Sequence, residues 1–385
     1  METAALTHNL RRIRDEQSLS QADVAERAGI SRVAYRNIET GDATPRGATL
    51  TRIADVLGVK ISDLMTEVQP LRAVRFRDKG MTSREQLLVK VGRWLEGYSE
   101  VEKLLNAGRD FTFQKAVSGA RKQAPGAARA REVAEAARRA VKLKPGALIR
   151  DICGLLEDNG AKVFPISLAS EGFFGLSVAK ADGGPAVVVN VWDRISVERW
   201  IFTAAHELGH LLLHLDAYNV EKRAEDRSEE KEADMFASYF LMPDEVFNSE
   251  WAEARGLSFV ERVLKLKRMF HVSYKTVLYR LSETTSLRGS VWGRFQAEYK
   301  ASYGRTLTVL DEPDGLTAGE FRSAMTEARS ADEPAHLSSY DFAEDRLRRL
   351  VRDGLENELI TIGRGAEILG LSLKEMRRLV AGWVA

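Results

Sequence analysis

The stretch TAAHELGHLLLH, Thr203 to His214, holds three of the chain's six histidines within nine residues. His206 and His210 are four residues apart. On a helix they lie one turn apart on one face, and both can aim an imidazole nitrogen at a single ion. Glu207 stands beside them, where a carboxylate can take a proton from water held by that ion. The spacing predicts a helix that binds one zinc ion through His206 and His210, with Glu207 as general base. Ile201, Phe202, Ala205, Leu208, Leu211 and Leu212 make this helix strongly apolar. Imidazoles and a carboxylate buried there without partners would be costly, and a metal offsets that cost. Gly209 leaves room for another element to approach. His214 lies two turns from His206, about 12 Å along the axis, too far to share the ion with both others. It is read as a structural residue or as a hydrogen-bond partner of a ligand.

A catalytic zinc takes a third protein ligand and keeps one position open for water. Cys153 is the only cysteine, so the ligands must be histidines and carboxylates, and no disulfide can form within the chain. Downstream, RSEEKEADMFASYFLMP (Arg227 to Pro243) offers Glu229, Glu230 and Glu232. Glu232 leads into an amphipathic helix with Phe236, Phe240 and Leu241 on its other face. Acids at 229 and 230 suit a helix N-terminus. Tyr239 is a candidate partner for an oxyanion, although no spacing selects it. Upstream, AKVFPISL, FFGLSVAK and GPAVVVNV are β-rich runs separated by glycine. Of these, Pro185–Val191 reads either as an edge strand that pairs with an extended substrate or as an ordinary core strand.

The rest of the chain frames this segment. Its 385 residues exceed one typical domain. The net charge of +1 selects no partner by itself. Charge is uneven, however: residues 71–150 hold 19 Lys and Arg against 8 Asp and Glu, while the first 68 residues are near neutral. The basic stretch fits a solvated helical face or contact with nucleic acid. METAALTHNLRRIRDEQ lacks the apolar core of a signal peptide, and no apolar run reaches membrane-spanning length. The expectation is a cytoplasmic protein that does not engage a membrane. The pattern divides the chain into 1–68, 69–145 (basic, helical, with a linker-like SGARKQAPGAARA), 146–286 and a helical 287–385. The fold class expected is α+β, mostly α, with one small sheet.

Residues 6–65 read as short helices. Ser20 and Ser31 cap two of them, and Gly29 turns the chain between. Leu19, Val24, Ala25, Ile30, Tyr35, Ile38, Ile53, Ala54 and Leu57 supply the apolar set. Two helices joined this way form a helix-turn-helix whose second helix, Ser31–Thr40, enters the major groove. Its outward Arg32, Arg36 and Asn37 can read base edges, Val33 can meet a thymine methyl, and Gln21 suits a phosphate contact. Near-neutral charge makes dimerisation or the basic stretch a needed supplement to DNA affinity. The same shape recurs around HVS (His271–Ser273) and again over LRRLVRDGLENELITIGRGAEILGLSLKEMRRLVAGWV (Leu347–Val384), read as helices separated by ITIG and GLSL. DEPDGLTAGE and RSADEPAH read as loops.

RWIFTAAHELGHLLLH followed by EKEADMFASYFLMP resembles the ImmA/IrrE family of zinc metallopeptidases. The resemblance covers about Gly146 to Ser282. It implies a zincin-like domain with His206 and His210 as ligands, Glu207 as base and Glu232 as third ligand of one Zn²⁺ per chain. The first domain is similar to the Xre/Cro/cI helix-turn-helix type, through LSQADVAERAGIS, IETG, Pro45 and LTRIADVLGV. Together these imply a regulator that binds a double-stranded DNA operator, as a homodimer where charge demands it. Its endopeptidase domain would cleave a helix-turn-helix repressor, a partner or its own chain in a stress or mobile-element response. Two other readings stay open. One is a transcription factor whose zinc domain senses a ligand without proteolysis. The other is a defence or toxin–antitoxin-like module whose helix-turn-helix docks a protein.

Overall fold

The computed structural model describes residues 2–16, 19–59, 61–65, 71, 73–76, 84–117, 119, 123–214, 218, 226–284, 291–308, 310–317 and 333–383. The chain forms two compact units, residues 1–71 with 81–96, and residues 72–80 with 97–385.

The first unit holds α1 (Glu2–Glu16), α2 (Gln21–Arg27), α3 (Arg32–Thr40), α4 (Gly47–Leu57) and α5 (Ile61–Met65). Ser20 starts α2 by a reciprocal pair: its hydroxyl accepts from the Asp23 N–H at 3.1 Å, and its own N–H donates to the Asp23 carboxylate at 2.7 Å. Ser31 starts α3 by accepting from the Ala34 N–H at 3.1 Å. The turn between them needs a left-handed residue, and Gly29 supplies it at φ +65°. Leu10, Val24, Tyr35, Ile53 and Leu64 meet in the core and are almost wholly buried. Leu19 and Ile30 pack at its margin.

The second unit opens with β1 (Val74–Phe76). It then takes in the end of α6 (Arg84–Leu104), followed by α7 (Phe113–Val117), α8 (Ala127–Ala140), α9 (Ile152–Asp158), β2 (Lys162–Ile166), β3 (Gly175–Val178) and β4 (Ala186–Asn190). The four strands make one mixed sheet in the order β1-β3-β4-β2. β3 pairs antiparallel with both β1 and β4, and β4 pairs parallel with β2. Pro185–Val191 is therefore no edge: β4 is bonded on both sides and all five of its residues are buried. An uninterrupted run of valines is the mark of a strand covered on both faces.

The remaining helices are α10 (Val197–Leu213), α11 (Arg227–Leu241), α12 (Asp244–Glu253), α13 (Phe259–Phe270), α14 (Tyr274–Thr284), α15 (Val291–Tyr303), α16 (Arg346–Glu356), α17 (Ile362–Ile368) and α18 (Leu373–Trp383). The fold is α+β and mostly α, with α10 packed between the sheet and α11. Residues 69–145 do more than connect. They supply β1 to the sheet, and they supply α8, whose Ala130, Val133, Ala134 and Ala137 are wholly buried against α10 and α11. The linker-like 118–130 falls partly outside the described residues, and from Ala127 it is the first turn of α8. The loop-like 311–320 and 329–336 also fall partly outside them. Among the described residues, no helix is long and apolar enough to cross a membrane.

The C-terminal helices are tied to the sheet domain by buried charge. The guanidinium of Arg346 donates to the Tyr98 hydroxyl at 3.1 Å and pairs with Glu102 at 2.7 Å. One oxygen of the fully buried Glu157 accepts the N–H groups of Arg346 and Asp345, at 3.2 and 3.4 Å, while its other oxygen has no partner among the described residues. Burial outweighs those two bonds and raises the Glu157 pKa from 4.5 to about 7. The folded chain thus holds this proton more tightly than the unfolded one. The resulting stability is fully present below about pH 4.5 and is lost as pH rises through about 7. Between those limits this group should remove about 3 kcal/mol of unfolding free energy. Urea titrations of wild type and Glu157→Gln across that range should diverge by this amount, and parallel curves would refute it.

Candidate metal centre and nucleic-acid interface

Every residue of α10 except Arg199 is buried, so His206, Glu207 and His210 face protein. The sheet lies close because β3 begins with glycine. A Cβ on Gly175 would stand 2.6 Å from the Thr203 methyl and 2.7 Å from the Val188 carbonyl oxygen, and 3.4 Å from the Glu207 side chain. On the other side, a Cβ on Gly209 would stand 2.8 Å from the Phe236 ring of α11.

The two imidazole Nε2 atoms of His206 and His210 are 3.0 Å apart. Glu230 places one carboxylate oxygen 3.4 Å from His206 Nε2 and the other 3.3 Å from His210 Nε2. One donor atom from each of these three residues lies within 4.8 Å of the others. Two imidazole lone pairs converging this closely require a proton or a cation between them. Two ring nitrogens and a carboxylate oxygen are a donor set that zinc takes, so the residues present fit such an ion.

The electrostatics keep the three donors in different states. Burial opposes a charge on His206, but its bonds to Asp234 and Glu230 outweigh burial and raise its pKa to about 9. Burial drives His210 well below its ordinary value and so holds it neutral. Burial would raise Glu230 as well, but its bonds to the two histidines hold it well below the usual carboxylate range. Glu207 is pushed up to about 7, mainly by burial, with His206 and the Ser177 hydroxyl acting against it.

Outer contacts fix each donor. His206 Nδ1 bonds Asp234 at 2.8 Å. His210 Nδ1 meets His214 Nδ1 at 2.9 Å, and His214 Nε2 bonds Glu232 at 3.0 Å. The Ser177 hydroxyl donates to Glu207 at 2.7 Å and accepts from the Tyr218 hydroxyl at 2.8 Å. Arg75, on the sheet-edge strand β1, donates to Glu229 at 2.5 Å and to Glu230 at 3.1 Å.

The carboxylate at the histidine pair is Glu230, and Glu232 lies apart from it. Glu232 accepts from the Gly126 N–H at 2.8 Å and from Arg129 Nε at 2.7 Å, and it is bonded to His214. Helical period explains the difference. Glu230 and Asp234 are four apart and share the face turned to His206, whereas Glu232 is about 200° around the helix from Glu230. Its lead-in to an apolar helix did not reveal Arg129, which reaches it from α8. Glu230 was one of the three acids the sequence offered, whereas Asp234, Ser177, Tyr218, Arg75 and Arg129 went unread in it. Only the four-residue spacing of Glu230 and Asp234 signalled a face. Tyr239 lies under the guanidinium of Arg280, 3.7 Å from its ring centroid.

In the first unit, Arg32, Val33 and Arg36 are exposed on α3, Val33 at 64%, and Asn37 is half-buried beside them. Gln21 is half-buried. Its amide donates to Glu39 at 3.2 Å, within a buried cluster in which Arg14 grips both oxygens of Glu39 at 2.8 Å.

Comparison with known proteins gives two matches. Residues 10–64 match the family model described as a helix-turn-helix. Residues 157–282 match that of the IrrE N-terminal-like domain, a peptidase family. The chain fuses these two domains. No curated protein matches it. The first domain is of a DNA-binding kind, and the IrrE-like domain is peptidase-like, of a kind that generally uses zinc. The IrrE-like match contains β2, β3, β4 and α10 through α13, but neither β1 nor α8. Gly175→Ala in this domain should cost about 1–3 kcal/mol, because the Val188 carbonyl cannot retreat without breaking the sheet. Denaturant unfolding checks this, and an unchanged midpoint would show that α10 does not press on β3 here.

Proposed function

We propose that this chain is a DNA-bound regulator with a zinc-dependent endopeptidase domain, cleaving a helix-turn-helix repressor, a partner protein or itself. One observation carries the reading: His206, His210 and Glu230 converge within 4.8 Å, with Glu207 on the same buried helix. In this reading His206, His210 and Glu230 hold one Zn²⁺ per chain. The ion, when bound, supplies a Lewis acid and lowers the pKa of its water. Glu207 takes the proton of the attacking water and passes it to the leaving amine. Burial favours the protonated form of Glu207, and Ser177 holds one of its two oxygens. Asp234 holds the His206 ring, and Glu232 acts on His210 through His214.

A site that only senses through zinc has no use for a general base, and the buried Glu207 favours cleavage over the sensor reading. Elemental analysis should find one zinc per chain. Glu230→Ala should abolish stoichiometric zinc, whereas Glu232→Ala should retain it with affinity weakened by about tenfold. Glu207→Gln should keep the metal and stop cleavage of repressors encoded nearby or of the chain itself. A Glu207→Gln protein that still cuts would overturn the chemistry. If the wild type binds zinc and cuts nothing, the sensor reading gains.

At the other end, the exposed face of α3 is assigned to the major groove of an operator. Arg32→Ala with Asn37→Ala should abolish preference for operator over random duplex in a mobility-shift assay while leaving cleavage intact. Retained preference would favour a protein-docking role for this domain.

A further inference from the structure

The sequence carries a third helix-turn-helix pattern at its C-terminal end, and the site described so far does not use it. The local structure there repeats α2–α3 residue by residue. Thr361 caps α17 by accepting from the N–H three residues on, at 3.2 Å, as Ser20 does for α2 at 3.1 Å. Gly370 turns the chain at φ +66°, against +65° for Gly29. The next residue bonds back in both: Leu371 N–H to the Ala366 carbonyl at 2.8 Å, and Ile30 N–H to that of Ala25 at 2.9 Å. Ser372 caps α18 as Ser31 caps α3, at 3.2 and 3.1 Å. Met376 and Tyr35 hold the same place in the second helix, and both are wholly buried.

Shape alone does not make a reading head. α13 and α14 are also joined by a left-handed residue, His271 at φ +54°, with Ser273 capping the second helix. There Tyr274 and Leu278, at the places of Arg32 and Arg36, are buried, and Lys275 and Tyr279, at those of Val33 and Asn37, are half-buried, so α14 offers no exposed cationic face. α18 differs. The positions that correspond to Arg32, Val33, Arg36 and Asn37 are Leu373, Lys374, Arg377 and Arg378, and all four are exposed. Lys374 and Arg377 make no ion pair among the described residues, and Glu375 is taken up by the cap, accepting from the Ser372 N–H at 2.8 Å. Residues 346–383 hold 8 Lys and Arg against 5 Asp and Glu, more basic than the near-neutral first domain.

We propose that α17–α18 is a second DNA-binding helix-turn-helix, which lays Lys374, Arg377 and Arg378 of α18 against duplex DNA. The occupant is duplex DNA because an exposed cationic helix, presented on a turn built for groove entry, complements phosphate. The proposal is independent of the peptidase reading.

The test uses the full chain and a fluorescein-labelled random duplex of roughly 30 base pairs, with anisotropy read between about 50 and 200 mM salt. Arg32→Ala/Arg36→Ala/Asn37→Ala serves as background, to silence the first head. Adding Lys374→Ala/Arg377→Ala/Arg378→Ala should weaken the remaining binding more than about tenfold at low salt. It should also lower the slope of log K against log salt by roughly 2–3. Unchanged affinity and slope would overturn the proposal and leave α17–α18 as a protein-packing element. Should the triple substitution lower the melting temperature, Arg377→Glu alone repeats the measurement. Loss of binding with a wild-type melt sustains the proposal, and retained binding overturns it.

Discussion

The structure depends on one constraint: a helix buried on nearly every side that carries two imidazoles and a carboxylate. α10 supplies much of the core between sheet and helices, yet it brings His206, Glu207 and His210 with it. Ionisable groups away from water need partners or a cation. The surrounding elements are arranged to meet that need, and each brings a different group. β3 offers Ser177, α11 offers Glu230, Asp234 and Glu232, α8 offers Arg129, and β1 offers Arg75.

These partners form two chains, one ending in a neutral hydroxyl and one in an ion pair. Glu207 leads through Ser177 to Tyr218, and His210 leads through His214 to Glu232 and Arg129. Such chains do two things together. They satisfy buried polar atoms, and they fix ring orientation, so that the two Nε2 atoms point at one place without rotamer freedom to be lost when an ion arrives. Gly175 and Gly209 permit the close packing this requires, one toward the sheet and one toward Phe236.

Much of this was legible in the sequence, for local reasons. His206, Glu207 and His210 share a helical face by spacing alone, and Ser20, Gly29 and Ser31 dictate a turn by their own backbone preferences. The three β-rich runs between glycines became β2, β3 and β4. What could not be read came from long range. Helical period turns Glu232 away from the His206–His210 pair, but its partner there, Arg129, lies 103 residues away and left no local sign. The bond of Gln21 to Glu39, which Arg14 also holds, joins residues of three different helices. β1 is only three residues long, too short to show a period of two, and its place at the sheet edge is set by pairing with Leu176–Val178.

The segment that matches the IrrE-like family model is therefore smaller than the unit that holds the site together. Arg75, Gly126 and Arg129 all lie before residue 157, yet they touch Glu229, Glu230 and Glu232. Without them, Glu232 would keep only His214 as a partner in a nearly dry position, and the two first-turn acids of α11 would lose the cation that bridges them. A buried carboxylate stripped of its cation binds a proton or draws its helix toward solvent. Either response would move Glu230, two residues away, relative to His206 and His210. The basic stretch between the two matched segments thus has an electrostatic duty within the chain. Part of its positive excess is matched to the acidic first turns of α11, which leaves less of it for nucleic acid than a count of charges suggests.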